Sequence, residues 1–234
     1  MNTHDGPPIL FTFRGTPIKT SPVVLANVLG LWGGLSWLAG RRQPERSWPV
    51  RLLVGALSTL TLLVTDIGHA MAHVISAQFA GAPMDEILIS ESMPKTVYFD
   101  NDVPPQAHRM RALGGPIFSA VGLLISLLLR LLKPRGSVAR EVAGWSCMGH
   151  GMILGGSLAP LPIVDGGSIL KWTLVEQGRT PEEADDTIKQ VNLGLGVAAT
   201  TTGVGLATKR RWLPAIGLLL IGTAAVAAAL GKLR

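Results

Sequence analysis

The chain has 234 residues, 47% of them hydrophobic and only 15% charged, with a mean hydropathy of +0.38. That composition excludes an ordinary soluble domain and points to an integral, multi-pass membrane protein, most simply of the cell membrane. The net charge of +6 fits cytoplasmic loops and anionic headgroups, and no aromatic-interleaved basic groove argues for nucleic acid. Cys147 is the single cysteine, which excludes an internal disulfide and a cysteine-rich metal site.

Residues 1–22 read as an irregular N-terminal tail, punctuated by Pro7, Pro8, Pro17 and Pro22. They lack the basic start and apolar core of a cleaved secretion signal. Residues 23–234 read as one membrane domain. Its first span, Val23 to Gly40, carries no charge, and Gly30 and Gly34 would let a second helix approach closely. Arg41, Arg42, Arg46 and Arg51 follow, with Pro44 and Pro49 blocking helix continuation. The second apolar segment covers residues 50–80. As a helix it would be roughly 45 Å long, more than the hydrocarbon core, so it tilts or protrudes.

Residues 83–112 are polar. The β-like runs Ile87–Ser90 and Thr96–Phe99, on either side of Glu91 to Lys95, predict a hairpin at the membrane surface. Residues 113–132 predict a third span, with Pro116 in its first turn. Residues 142–159 predict a fourth, which carries His150 and breaks at Pro160 and Pro162. A helix resumes over Ser168 to Val175. Thr180-Pro181-Glu182-Glu183 is a capping box opening a short polar helix to about residue 190. Residues 191–208 and 213–230 complete an all-α polytopic membrane protein of about six transmembrane helices with a small membrane-surface β-hairpin. No internal repeat is present.

Chemistry concentrates in two stretches. Thr65-Asp66-Ile67-Gly68-His69-Ala70-Met71-Ala72-His73 sets Asp66, His69 and His73 within roughly 60° of one another on a helix. A bilayer does not solvate such groups, so each requires a partner, a cavity or a task. The second stretch is Pro160 to Gly167, carrying Asp165, and the two are expected to meet. Histidines at i and i+4 are the spacing that chelates one metal ion. Asp66 would be a third ligand or a catalytic base, and Asp165 a further ligand. Such nitrogen and oxygen donors suit Zn²⁺ or another divalent first-row metal. A zinc-activated water would attack a peptide carbonyl, assisted by a carboxylate base. The bland alternative is that these groups only hydrogen-bond one another or nearby backbone. His150 reads as a packed core residue and His108 as an exposed loop residue.

Three segments together resemble the site-2 protease family of intramembrane zinc metalloproteases. Asp66-Ile67-Gly68-His69-Ala70 is similar to its His-Glu-x-Gly-His-Ala helix. Ala112 to Phe118 is similar to its Ala-Gly-Pro segment, and Leu158 to Gly167 to its Asn-Leu-Leu-Pro-x-x-x-Leu-Asp-Gly-Gly stretch. The likeness covers about residues 50–175 and implies the third zinc ligand at Asp165. Departures fall at Thr65, Asp66 and Ser157, where the family has His, Glu and Asn. Two functions follow. In one, a metallopeptidase-like site is rebuilt with His69, His73 and Asp165 as ligands and Asp66 as base, and acts on a transmembrane segment of another protein. In the other, the chain is a proteolytically inactive membrane-embedded binding protein of the same fold, with or without metal. A small transporter is the third class, without repeat symmetry to support it. The basic loops after spans one, three and five (Arg41–Arg51, Arg130–Arg140 and Lys209–Arg211) are expected in the cytoplasm with both termini outside, whereas the resemblance implies the opposite orientation.

Overall fold

The computed structural model describes residues 7–90 and 94–232. The first six residues of the tail and the Glu91–Met93 connection of the expected hairpin lie outside them. The chain divides into two compact units. The first is built from residues up to Val103 together with Leu113–Gly155, the second from Pro104–Ala112 together with the chain from Gly156 onward.

The first unit opens with a sheet where an irregular tail was expected. Strands β1 (Ile9–Phe13) and β2 (Thr16–Thr20) form an antiparallel hairpin. Its two-residue turn has positive φ at both Arg14 and Gly15, the conformation that matches the twist of paired strands. Strand β2 pairs in parallel with β3 (Glu86–Ile89), which pairs antiparallel with β4 (Lys95–Val97). The expected surface hairpin is therefore half of a four-stranded mixed sheet, open at both edges and not closed into a barrel.

Helices α1 (Val23–Arg42) and α2 (Trp48–Phe79) follow the expected pattern. The 32 residues of α2 make it about 48 Å long. Pro49 sits in its first turn, where a missing N–H leaves no hydrogen bond unmade. The two helices pack closely at Gly55, where a Cβ would strike the backbone of Ser36. Trp32 Nε1 also donates across to the Leu52 carbonyl at 3.0 Å. The C-terminal half of α2 lies against the sheet. Ala70, Val74 and Ala77 join Ile18, Met84, Ile87 and Ile89 in one buried apolar cluster. This cluster anchors the stretch of α2 that carries the two histidines.

Helix α3 runs over Pro105–Leu132 and α4 over Val138–Ser157. Helix α3 begins a full eight residues before the predicted span, so Pro116 lies inside it and not in its first turn. The polar residues 105–112 are helical because Pro105 provides a favourable start and no breaker follows before Gly114.

In the second unit, α5 spans Asp165–Glu176, α6 Pro181–Thr208 and α7 Trp212–Ala229. The capping box is present. Thr180 N–H donates to Glu183 Oε2 at 2.9 Å, and Glu183 N–H to Thr180 Oγ1 at 3.2 Å. The predicted polar helix and fifth span are one continuous helix, since no breaker stands at residue 190. His108 is not simply exposed. Its ring stacks on Trp172, with centroids 3.8 Å apart and planes 2° from parallel.

Among the described residues, four helices are long and apolar enough to cross a membrane: α1, α2, α3 and α7. The expectation of about six is corrected on that ground. Helices α4 and α6 exist where two more spans were expected. Their apolar runs are diluted, by Arg140 and Glu141 in α4 and by the acidic first turns and threonine run of α6.

Candidate metal centre

Within the first unit, α2 places His69 and His73 one turn apart on the face that meets α3. Their Nε2 atoms are 3.3 Å apart, and the rings stand nearly edge to face at 78°. His69 is half-buried and His73 buried. Two zinc-bound nitrogens, at bonds of about 2.0–2.1 Å and a tetrahedral angle, lie about 3.3 Å apart. Two imidazole nitrogens at that separation could share one ion.

Helix α3 completes this half of the site in two ways. Ser119, fully buried, lies 2.9 Å from His69 Nδ1 through its hydroxyl. A hydroxyl on Nδ1 fixes the ring's orientation and leaves Nε2 to face the pair, the outer-shell support that metal-binding histidines require. Gly115 forms the floor. A Cβ there would run into Nε2 of both His69 and His73. The neighbouring Gly114 brings the two helices together, since a Cβ would strike the Ala72 carbonyl and the Ser76 hydroxyl. In exchange, Gly68 of α2 makes room for the Phe118 ring. Small residues are what let two apolar helices approach closely in a membrane.

Thr65 stands where the resembling family has its first histidine. It is buried, and its Oγ1 donates to the Thr61 carbonyl at 2.9 Å. That hydroxyl is committed to its own helix. Asp66 is half-buried, one turn before His69. His150 is buried in α4, its ring tilted against Phe118 with centroids 5.6 Å apart and packed where Gly122 leaves space. This agrees with its reading as a core residue.

Asp165 belongs to the second unit. It occupies the first turn of α5, where a carboxylate also interacts favourably with the helix dipole. The turn before it is held by backbone packing that only glycine permits. A Cβ on Gly166 would strike the carbonyls of Leu158 and Ala159, and one on Gly167 the Leu161 carbonyl. Asn192 of α6 clamps the same loop. Its Nδ2 donates to the Pro160 carbonyl at 2.6 Å and to the Ile188 carbonyl at 2.9 Å. Gly115 lies in the Ala112–Phe118 segment singled out in the sequence, whereas Ser119 and Asn192 were not visible as site residues. Only Asn192, a lone amide on an apolar stretch of helix, carried a signal that could have flagged it.

The fold defines a class, a multi-pass helical membrane protein with four candidate spans and a small mixed sheet. Among solved structures, the chain is similar to the Site-2 Protease from Methanocaldococcus jannaschii, with 17% sequence identity and a TM-score of 0.53. The similarity covers 97% of this chain and 95% of that one, and it is a likeness of fold. No protein-family profile matches the chain, and no curated protein matches it.

Proposed function

We propose that this chain is a divergent, site-2-protease-like membrane protein whose metal centre has moved one helical turn along α2. The observation that carries the reading is the 3.3 Å separation of His69 and His73 Nε2, with Ser119 orienting His69. The proposed donors are His69 and His73, with Asp165 of the second unit as the third ligand that the family resemblance implies; two imidazoles and one carboxylate would suit Zn²⁺. Bound there, the ion would supply Lewis acidity toward a peptide carbonyl. The chain's own residues would do the rest. Gly115, lacking a side chain, keeps the space in front of both Nε2 atoms clear. Asp66 would take up a proton as general base, from one turn away and with one methylene fewer than Glu. The substrate would be a transmembrane segment of another protein, reached within the lipid bilayer.

Metal analysis of the purified protein tests the first step. Wild type is expected to hold about one ion per chain, and His73→Ala or Asp165→Asn to lose it. A wild-type protein without stoichiometric metal sinks the proposal. Cleavage of a model membrane substrate tests the second step, with Asp66→Ala expected to abolish it. Cleavage that survives this substitution removes Asp66 from the mechanism.

One observation favours the alternative, a proteolytically inactive binding protein. If His69 and His73 are the ligand pair, the position after the first ligand is Ala70, which is buried in the apolar cluster and has no acid to offer. A metal-loaded wild type that cleaves no membrane substrate would select this reading.

A further inference from the structure

A cavity of 450 Å³ lies in the first unit, where α1 ends, α3 ends and α4 begins. That volume falls in the range of small-molecule sites, about 300–1,000 Å³. Its walls are of two kinds. Arg42, Arg130 and Arg140 supply guanidinium groups, while Trp145 and Met148 supply an apolar side. Glu141 also lines it; Arg42 pairs with it at 3.7 Å, and Arg46, from outside the lining, and Glu141 are the closer pair. Their ion pair is 2.5 Å long, with side chains only 7% and 9% exposed. Arg42 is thus engaged by Glu141 and by the Trp145 ring, and Arg130 and Arg140 supply the cavity's remaining cations.

The position of these groups along the helices is informative. Helices α1 and α3 are both candidate membrane spans, and Arg42 and Arg130 lie in their last turns. Tryptophans accompany the arginines at this end. The Arg41 guanidinium lies 5.4 Å from the Trp37 ring centre, Arg51 5.8 Å from Trp48, and Arg42 4.8 Å from Trp145. Tryptophan and arginine together mark the headgroup level of a bilayer. A cationic mouth at that level, above an apolar wall continuing along α4 to Met148, has the two-part chemistry of a phospholipid.

We propose that this cavity binds the phosphate of an anionic phospholipid headgroup, with an acyl chain descending along Trp145 and Met148. Guanidinium forks hold phosphate oxygens through charge-assisted hydrogen bonds. Arg140 keeps one donor on the Lys133 carbonyl at 2.8 Å, which braces its side chain at the cavity rim. A free phosphate would share the arginines but has no use for the apolar wall.

The test is native mass spectrometry of the full chain in detergent with equal amounts of phosphatidylglycerol and phosphatidylcholine. Wild type is expected to retain phosphatidylglycerol in preference. Arg130→Gln with Arg140→Gln should lower that retention about 25-fold, roughly fivefold for each charge removed. Met148→Trp leaves every charge in place, fills the apolar wall and should also lower retention, so the test stands even if the double variant fails to fold. Equal retention of the two lipids overturns the proposal, as does unchanged retention in either variant. Complete displacement of the lipid by excess inorganic phosphate would assign the site to free phosphate and overturn it as well.

Discussion

The histidine pair is only as well placed as the two small residues that face it. Ser119 contributes nothing but a hydroxyl on His69 Nδ1, and it is fully buried, so Ser119→Ala removes that contact without leaving a large void. Loss of an outer-shell partner weakens metal binding about 10- to 100-fold. Chelator competition on the purified variant is expected to show a fall in that range, with thermal stability nearly unchanged. An affinity equal to wild type would show that Ser119 does not orient the ring. Gly115→Ala is expected to be more severe, because the new methyl group occupies the space in front of both Nε2 atoms. Gly30→Ala is the matched control, since a Cβ there meets nothing within 4 Å. The metal content of the Gly115 variant should be lost while the control keeps it. The contrast explains what the sequence could and could not disclose. His69 and His73 were legible because i, i+4 spacing is itself the chelating geometry. Ser119 was not, because a lone serine in an apolar helix normally bonds its own backbone, as Ser126 does to the Gly122 carbonyl at 2.6 Å.

At the scale of elements, local signals were reliable where they were chemical and weaker where they were only compositional. The Thr180–Glu183 capping box was legible and present, because both hydrogen bonds are specified within four residues. Hydrophobic windows overcounted the spans, because a helix such as α6 can be long and continuous while its first turns are acidic. The β1–β2 hairpin was missed because Pro8 and Pro17 suggested an irregular tail. The signal that mattered was Arg14-Gly15 between Phe-rich and Ile-containing runs, a two-residue turn needing positive φ. The loop leading into α5 shows how one side chain can secure an element. Asn192 is almost fully buried and holds the Pro160 carbonyl. Asn192→Ala leaves that carbonyl without its donor, a loss of about 1–3 kcal/mol. Unfolding in detergent should register it as lower stability. A change of only a few tenths of a kcal/mol would mean that the glycine-permitted turn at Gly166 and Gly167 holds the loop unaided.

For the molecule in its bilayer, the first unit makes a topological demand independent of any function. Strand β2 enters α1 directly, and α2 returns to β3 in the same sheet. The sheet must then lie at one end of the α1–α2 pair and the Arg42–Arg51 turn at the other. Helix α3 ends and α4 begins beside that turn. Gln43 Nε2 donates to the Gly136 carbonyl at 3.2 Å, and Arg46 pairs with Glu141. Eight cations, Arg41, Arg42, Arg46, Arg51, Arg130, Lys133, Arg135 and Arg140, thus gather at a single membrane face. Single cysteines at Gln43, Ser137 and Thr12, placed in a Cys147→Ser background, test this with a membrane-impermeant maleimide on intact cells. Gln43→Cys and Ser137→Cys are expected to share one labelling behaviour and Thr12→Cys to show the opposite one. Joint labelling of Thr12→Cys and Ser137→Cys would mean that α1 and α2 do not cross the bilayer as a pair. Whichever set labels from outside also decides between the two orientations, the one favoured by loop charge and the one implied by the family resemblance. An external Thr12 would place the eight cations against the anionic inner leaflet, where a phospholipid-binding cavity has the most ligand available. An external Ser137 would place the cavity in the outer leaflet, with affinity for the headgroup carried chiefly by Arg130 and Arg140.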